Sequence, residues 1–118
     1  MKNALLFHET GVVEKVSIDP SNQLKEMQTY VGGLIQVIPT PFDNKMSLFV
    51  NEEGKFVEDH GVNIVATAVF GAYLGDGDYF AGDVLIMGPV DTKGETLGLS
   101  DAACTNIINV LKKAGLPT

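Results

Sequence analysis

The sequence predicts an α+β fold: a mainly antiparallel sheet with two main helices packed on it, in a single domain spanning residues 1–118. Three observations carry this expectation. Two pairs of short apolar runs, each separated by turn residues, read as β-hairpins. Two further segments, after Asp19 and after Ser100, show helical apolar spacing with start and stop signals. At 118 residues, 45% of them hydrophobic, the chain suits one core.

Ala4–Phe7 is apolar, His8–Gly11 reads as a turn, and Val12–Ile18 alternates, so these form the first hairpin. Val12, Glu14, Val16 and Ile18 share one face, and Val13, Lys15 and Ser17 the other. Asp19-Pro20-Ser21 opens a helix, with Asp19 or Ser21 as N-cap and Pro20 in the first turn, where no backbone N–H is required. Leu24, Met27, Tyr30 and Val31 form its apolar stripe, and Gly32-Gly33 stops it by allowing a left-handed C-cap. Leu34–Ile38 and Met46–Val50 are strands paired around a turn at Asp43-Asn44, and Asn51–Gly54 is another turn.

Asn63–Tyr73 mixes alanines with β-branched residues and reads as a short helix or helical turn capped by Asn63. Gly75–Asp78 is a loop. The apolar run Ala81–Gly88 is the candidate for a central strand. Pro89–Gly98 is a loop or a small hairpin. Ser100 caps the last helix, with Ala103, Ile107, Val110, Leu111 and Ala114 as its buried stripe. Lys112 and Lys113 complement the dipole at its end, and Gly115 and Pro117 terminate it.

The net charge of -7 argues against nucleic-acid binding, which needs clustered basic side chains for phosphates. Acidity here reads as solubility. A single cysteine, Cys104, excludes a disulfide framework and a cysteine-based zinc site, and its helical position suits a small buried hydrophobe. The opening MKNALLFHETG has too short an apolar run for a signal peptide, and no run approaches the roughly 20 apolar residues of a spanning helix. No membrane partner is expected, and a reducing cytoplasm is the expected compartment.

Residues 24–39, LKEMQTYVGGLIQVIP, lead to LFVNEEGKF, then to Asn63 with Ala66-Thr67, then to AGDVLIMGP. In this order they resemble the DUF3846 family over roughly residues 1–100. The matching positions are Val31, Gly32 and Gly33; Asn51, Glu52, Glu53, Gly54 and Lys55; Asn63, Ala66 and Thr67; Gly82 and Asp83. The chain departs from that pattern at EDHGVN (58–63), where the family has a proline-containing approach to the asparagine. The resemblance implies a small accessory protein of the kind carried by bacteriophages and mobile elements, without an assigned activity.

Chemistry-bearing residues are sparse. Asp76, Asp78 and Asp83 lack the spacing of a calcium loop. His8 and His60 have no ligand or nucleophile partner at a recognisable spacing. Adjacent Glu52 and Glu53 point apart in an extended chain, although Glu53 with Glu95 stays open as a pair. GGLIQ lacks the features of a phosphate loop. No catalytic residue, metal or cofactor is therefore expected, nor an enzyme. A ligand site is expected instead where Asn51 and Asn63 meet at the sheet edge, each amide offering both donors and an acceptor. Glu53 and Thr67 would add polar groups, and Tyr30, Phe70, Tyr73 or Tyr79 would stack on a ligand or close the pocket.

Three functions follow as expectations. One is sequestration of a nucleotide-derived immune signal, an anti-defence role needing a homo-oligomer to deepen the pocket. A second is an acidic inhibitor or adaptor of a host protein, and a third is a structural accessory protein with no ligand.

Overall fold

Strand alternation decides the layering. In the computed structural model, which describes residues 1–38, 46–54 and 60–115, the strands are β1 (Lys2–Phe7), β2 (Val13–Ile18), β3 (Ile35–Ile38), β4 (Ser47–Asn51) and β5 (Val84–Met87). They form one sheet in the order β2-β1-β5-β4-β3, antiparallel at every neighbouring pair. Leu5 and Phe7, Leu48 and Val50, Val84 and Ile86 point to one face; Ala4 and Leu6, Phe49, Leu85 and Met87 point to the other. Both faces of the three central strands are therefore apolar, and both must be covered.

The helices cover them. α1 (Gln23–Val31) lays Met27 and Val31 on the second face, while α2 (Ile64–Phe70) and α3 (Asp101–Lys113) lay Val65, Ala66, Phe70, Cys104 and Leu111 on the first. α1 links the two edge strands, so it crosses the whole width of the sheet. The result is helix, sheet, helices: the α+β class expected, with a third helix in addition to the two main ones.

Local chemistry sets the boundaries. Asp19 accepts from the Ser21 N–H and hydroxyl, capping a single 3₁₀ turn at Pro20–Asn22 that feeds α1. Those hydrogen bonds, the backbone one first, hold the Asp19 carboxyl below its ordinary acidity range. Gly32 ends α1 at φ 81°, a conformation that opposes a side chain. Ser100 accepts from Ala103 N–H at the start of α3, and Gly115 follows its end at φ 78°. Pro89–Gly98 resolves as a small hairpin, bridged between Val90 and Thr96.

Four expectations need correction. Leu24 is exposed, because only Met27, Val31 and partly Tyr30 reach the sheet from so short a helix. The buried face of α3 is rotated: Cys104, Ile107, Ile108 and Leu111 face the core, while Val110 is 64% exposed and Ala114 exposed. The central strand starts at Val84, since Gly82 at φ 75° breaks the extended run. Glu53 and Glu95 do not pair. Glu95 bonds Lys2 at the start of β1, while Glu53 follows the end of β4, at the opposite end of the sheet. The Asp43-Asn44 turn and Pro117 lie outside the described residues.

The rotated face of α3 predicts unequal costs. Leu111→Ala should lose roughly 2–5 kcal/mol, and Val110→Ala should stay within about 0.5 kcal/mol, in urea unfolding; equal losses would contradict the rotation. Burial pushes the Cys104 thiol pKa up, with Lys15 pulling weakly down and Asp101 up. A raised folded value means the protonated thiol stabilises the fold below the unfolded thiol pKa, and that contribution fades as pH rises through the folded value. Iodoacetamide should accordingly alkylate native Cys104 roughly tenfold or more slowly than the urea-unfolded chain; equal rates would show that the thiol is not sequestered.

Candidate functional site

Antiparallel pairing brings four strand ends together at one end of the sheet. The end of β1, the start of β2, the end of β4 and the approach to β5 all lie there. Between β4 and β5, residues 61–63 run against 80–82: Val62 bridges Ala81, Gly82 N–H donates to Gly61 O at 3.0 Å, and Asn63 N–H donates to Phe80 O at 2.8 Å.

Asn63 ties this end together. Its side chain is fully buried. Its amide nitrogen donates to Phe7 O and to Gly82 O, both at 2.8 Å, and its oxygen accepts from Ala66 N–H at 3.0 Å. The capping role in α2 is as expected from the sequence, but both amide N–H groups are spent inside the fold and present nothing to a ligand. Thr67, one turn on, accepts from Phe80 N–H at 3.0 Å. Asn63 and Thr67 thus clamp both backbone groups of Phe80.

Asn51 does the same for α1. Its amide nitrogen donates to Val31 O at 3.3 Å, and its oxygen accepts from Glu53 N–H at 2.8 Å. A Cβ on Gly33 would come within 2.9 Å of the Asn51 amide nitrogen. The Gly-Gly pair therefore has two purposes: Gly32 turns the chain and Gly33 lets Asn51 approach.

A cleft of about 220 Å³ opens beside this frame, between β3, the end of β4 and the Asp78–Ala81 segment. Ile38, Val50, Leu74, Phe80 and Ala81 give it an apolar floor; Gln36, Asn51, Glu52, Asp78 and Tyr79 give it a polar rim. Its described lining contains no basic residue, and the chain's eight basic residues are all lysines. A second cleft, of about 190 Å³, lies between the end of α1 and the 82–83 turn, lined by Glu9, Thr29, Tyr30, Val31, Gly32, His60, Gly82 and Asp83.

The anticipated site residues are thus divided. Asn51 and Tyr79 line the first cleft and Tyr30 the second. Asn63 and Thr67 support the first wall from behind through Phe80. Tyr73 packs half-buried against the core on the α2 side, and Phe70 is buried edge-on to Phe7 with ring centres 5.4 Å apart. Glu53 is exposed and lines neither cleft. Absent from the expected site were Gln36, Glu52, Asp78 and Phe80, and in the second cleft Glu9, His60 and Asp83. Gln36 carried a signal: it is the lone polar residue in an apolar strand and shares a face with Ile38.

Each histidine has a polar neighbour, though none is a nucleophile. His8 lies 2.9 Å from Glu14 and 3.8 Å from Asp83, and His60 Nδ1 lies 3.2 Å from Gly54 O. Among the described residues no group of three His, Cys, Asp or Glu side chains is arranged to hold a metal ion, and no helix is long and apolar enough to cross a membrane.

Fold and clefts define a small α+β protein with two small concavities at one end of a sheet covered on both faces. The chain belongs to the DUF3846 family, a domain of unknown function, whose family model matches residues 1–112 and so includes nearly all of α3. No curated protein and no solved structure matches the chain.

If Asn63 is the tie, charge and size alone cannot replace it. Asn63→Ala removes the donors to Phe7 O and Gly82 O together with a cap, and Asn63→Asp keeps the cap but cannot donate. Each should cost about 3 kcal/mol or more in urea unfolding. A neutral Asn63→Asp would show that the two donated bonds contribute nothing.

Proposed function

We propose that the protein is a non-catalytic binding module that holds the ring of a small ligand in the cleft beside β3. We further propose that it sequesters a nucleotide-derived signal as an accessory protein of a phage or mobile element. One observation carries the reading: a preformed cleft with an apolar floor and a rim of amides, carboxylates and a tyrosine. Such a rim matches the mixed donors and acceptors of a nucleobase edge, and Phe80 and Tyr79 offer apolar and aromatic surface. The described lining includes neither histidine nor cysteine, which favours holding over chemistry.

The charge refines the ligand's orientation. Glu52 and Asp78 repel a phosphate, and no basic group in the described lining offsets them. A nucleotide therefore enters base first, with its phosphate in solvent. At about 220 Å³ the cleft is smaller than the ~300–1,000 Å³ of a typical ligand pocket. A second copy of the chain closing over the ligand would supply the remainder, so we propose a homo-oligomer.

The adaptor reading has separate support. α2 turns Ile64, 73% exposed, and Val69 to solvent with no charged residue in the helix, a surface suited to a protein partner.

The proposal predicts a ranking in thermal-shift assays. Nucleosides should raise Tm more than their 5′-phosphates, with a stabilisation of about 2.7 kcal/mol at a hundredfold excess over Kd. Gln36→Trp, on the exposed edge strand, should fold normally and abolish the shift by filling the cleft. If no nucleoside shifts Tm, or if the shift survives in Gln36→Trp, the reading fails.

A further inference from the structure

The second cleft has a chemistry of its own. His60 Nδ1 faces the Gly54 carbonyl at 3.2 Å. A carbonyl only accepts, so Nδ1 bears the proton, and Nε2 of the neutral ring is an acceptor. One Glu9 carboxylate oxygen accepts from Gly61 N–H, which leaves the other without a partner among the described residues. Asp83 accepts from Glu9 N–H at 2.8 Å, fixing its carboxylate beside the cleft. The Thr29 hydroxyl donates to Lys25 O at 2.9 Å, so it too can only accept from a ligand. Tyr30 adds an aromatic ring.

Two carboxylates, a ring nitrogen lone pair and a hydroxyl lone pair thus meet in about 190 Å³, with no lysine or arginine in the described lining. Such a set is complementary to a cation rich in N–H donors. A bare metal ion is a poorer match, because these side chains are not arranged as a metal-holding group. We propose that this cleft binds a small organic cation, and that a guanidinium group fits it best. Guanidinium is planar, meets a carboxylate with two parallel N–H bonds and stacks on an aromatic face. The net charge of -7 raises the local concentration of any cation. The proposal does not depend on the cleft beside β3; either can fail without the other.

The test is an NMR titration of the full chain with methylguanidinium chloride, with tetramethylammonium chloride at equal ionic strength as a cation lacking N–H donors. Methylguanidinium should shift the amide signals of Gly61, Gly82 and Asp83 saturably, and tetramethylammonium should not. Glu9→Gln and Asp83→Asn each keep an acceptor for the internal bond while removing the charge, and each should weaken binding roughly tenfold. Perturbations spread over the acidic surface, equal effects of the two cations, or unchanged affinity in both variants would overturn the proposal. Two further arms identify the source of the group once binding is seen. Tighter binding of free arginine than of a blocked Gly-Arg-Gly peptide indicates a free metabolite, and the reverse order indicates an arginine on a partner protein.

Discussion

The side chain of Asn63 is the constraint on which the rest of the structure depends. Buried polar groups are costly unless paired, and this one is paired three times, to Phe7 O, Gly82 O and Ala66 N–H. Those partners belong to the end of β1, the turn before β5 and the first turn of α2. One residue thereby fixes the spacing of the central strands' ends and seats α2 over them. No other side chain of this size combines two donors with an acceptor in so short a reach. Asn51 repeats the device at lower cost, joining β4 to the end of α1.

The two clefts described lie at this end for a related reason. At the far end, Lys2 closes the structure: its ammonium donates to Gln23 Oε1 at 2.7 Å, Glu95 Oε1 at 2.8 Å and Thr96 O at 2.9 Å. At the Asn63 end, the polar ties are short and run to the backbone, so the connections are held apart around them. The space between them is what the clefts occupy. Acidic residues dominate there, which sets the kind of ligand either cleft could hold.

Much of the fold was legible because its signals are local. Ser100, Asn63 and Asp19 as caps, Gly32 as a stop and the hairpins at both sheet edges follow from turn and cap chemistry within a few residues. What the sequence could not convey depends on partners far along the chain. The face of α3 is chosen by the shape of the sheet beneath it, so Cys104 and Ile108 replaced Val110 and Ala114. Sheet order, with α1 spanning from one edge to the other, is likewise non-local. The candidate site was half legible: asparagine marked the end of the molecule where the clefts lie, but through its structural ties. Glu9 and His60 were invisible as site residues because Glu9 meets Gly61 and Asp83 only after folding.

The central claim is that this end of the sheet is a rigid, preformed frame held by side-chain ties. Native-state hydrogen exchange tests it most directly. The Ala66 and Phe80 amides, which donate to Asn63 and Thr67, and the Gly82 amide should exchange only through global unfolding, with the protection of the β5 core. Exchange of these three amides at the pace of the exposed Gly94 turn would contradict the account, because the frame would then open while the sheet stays folded.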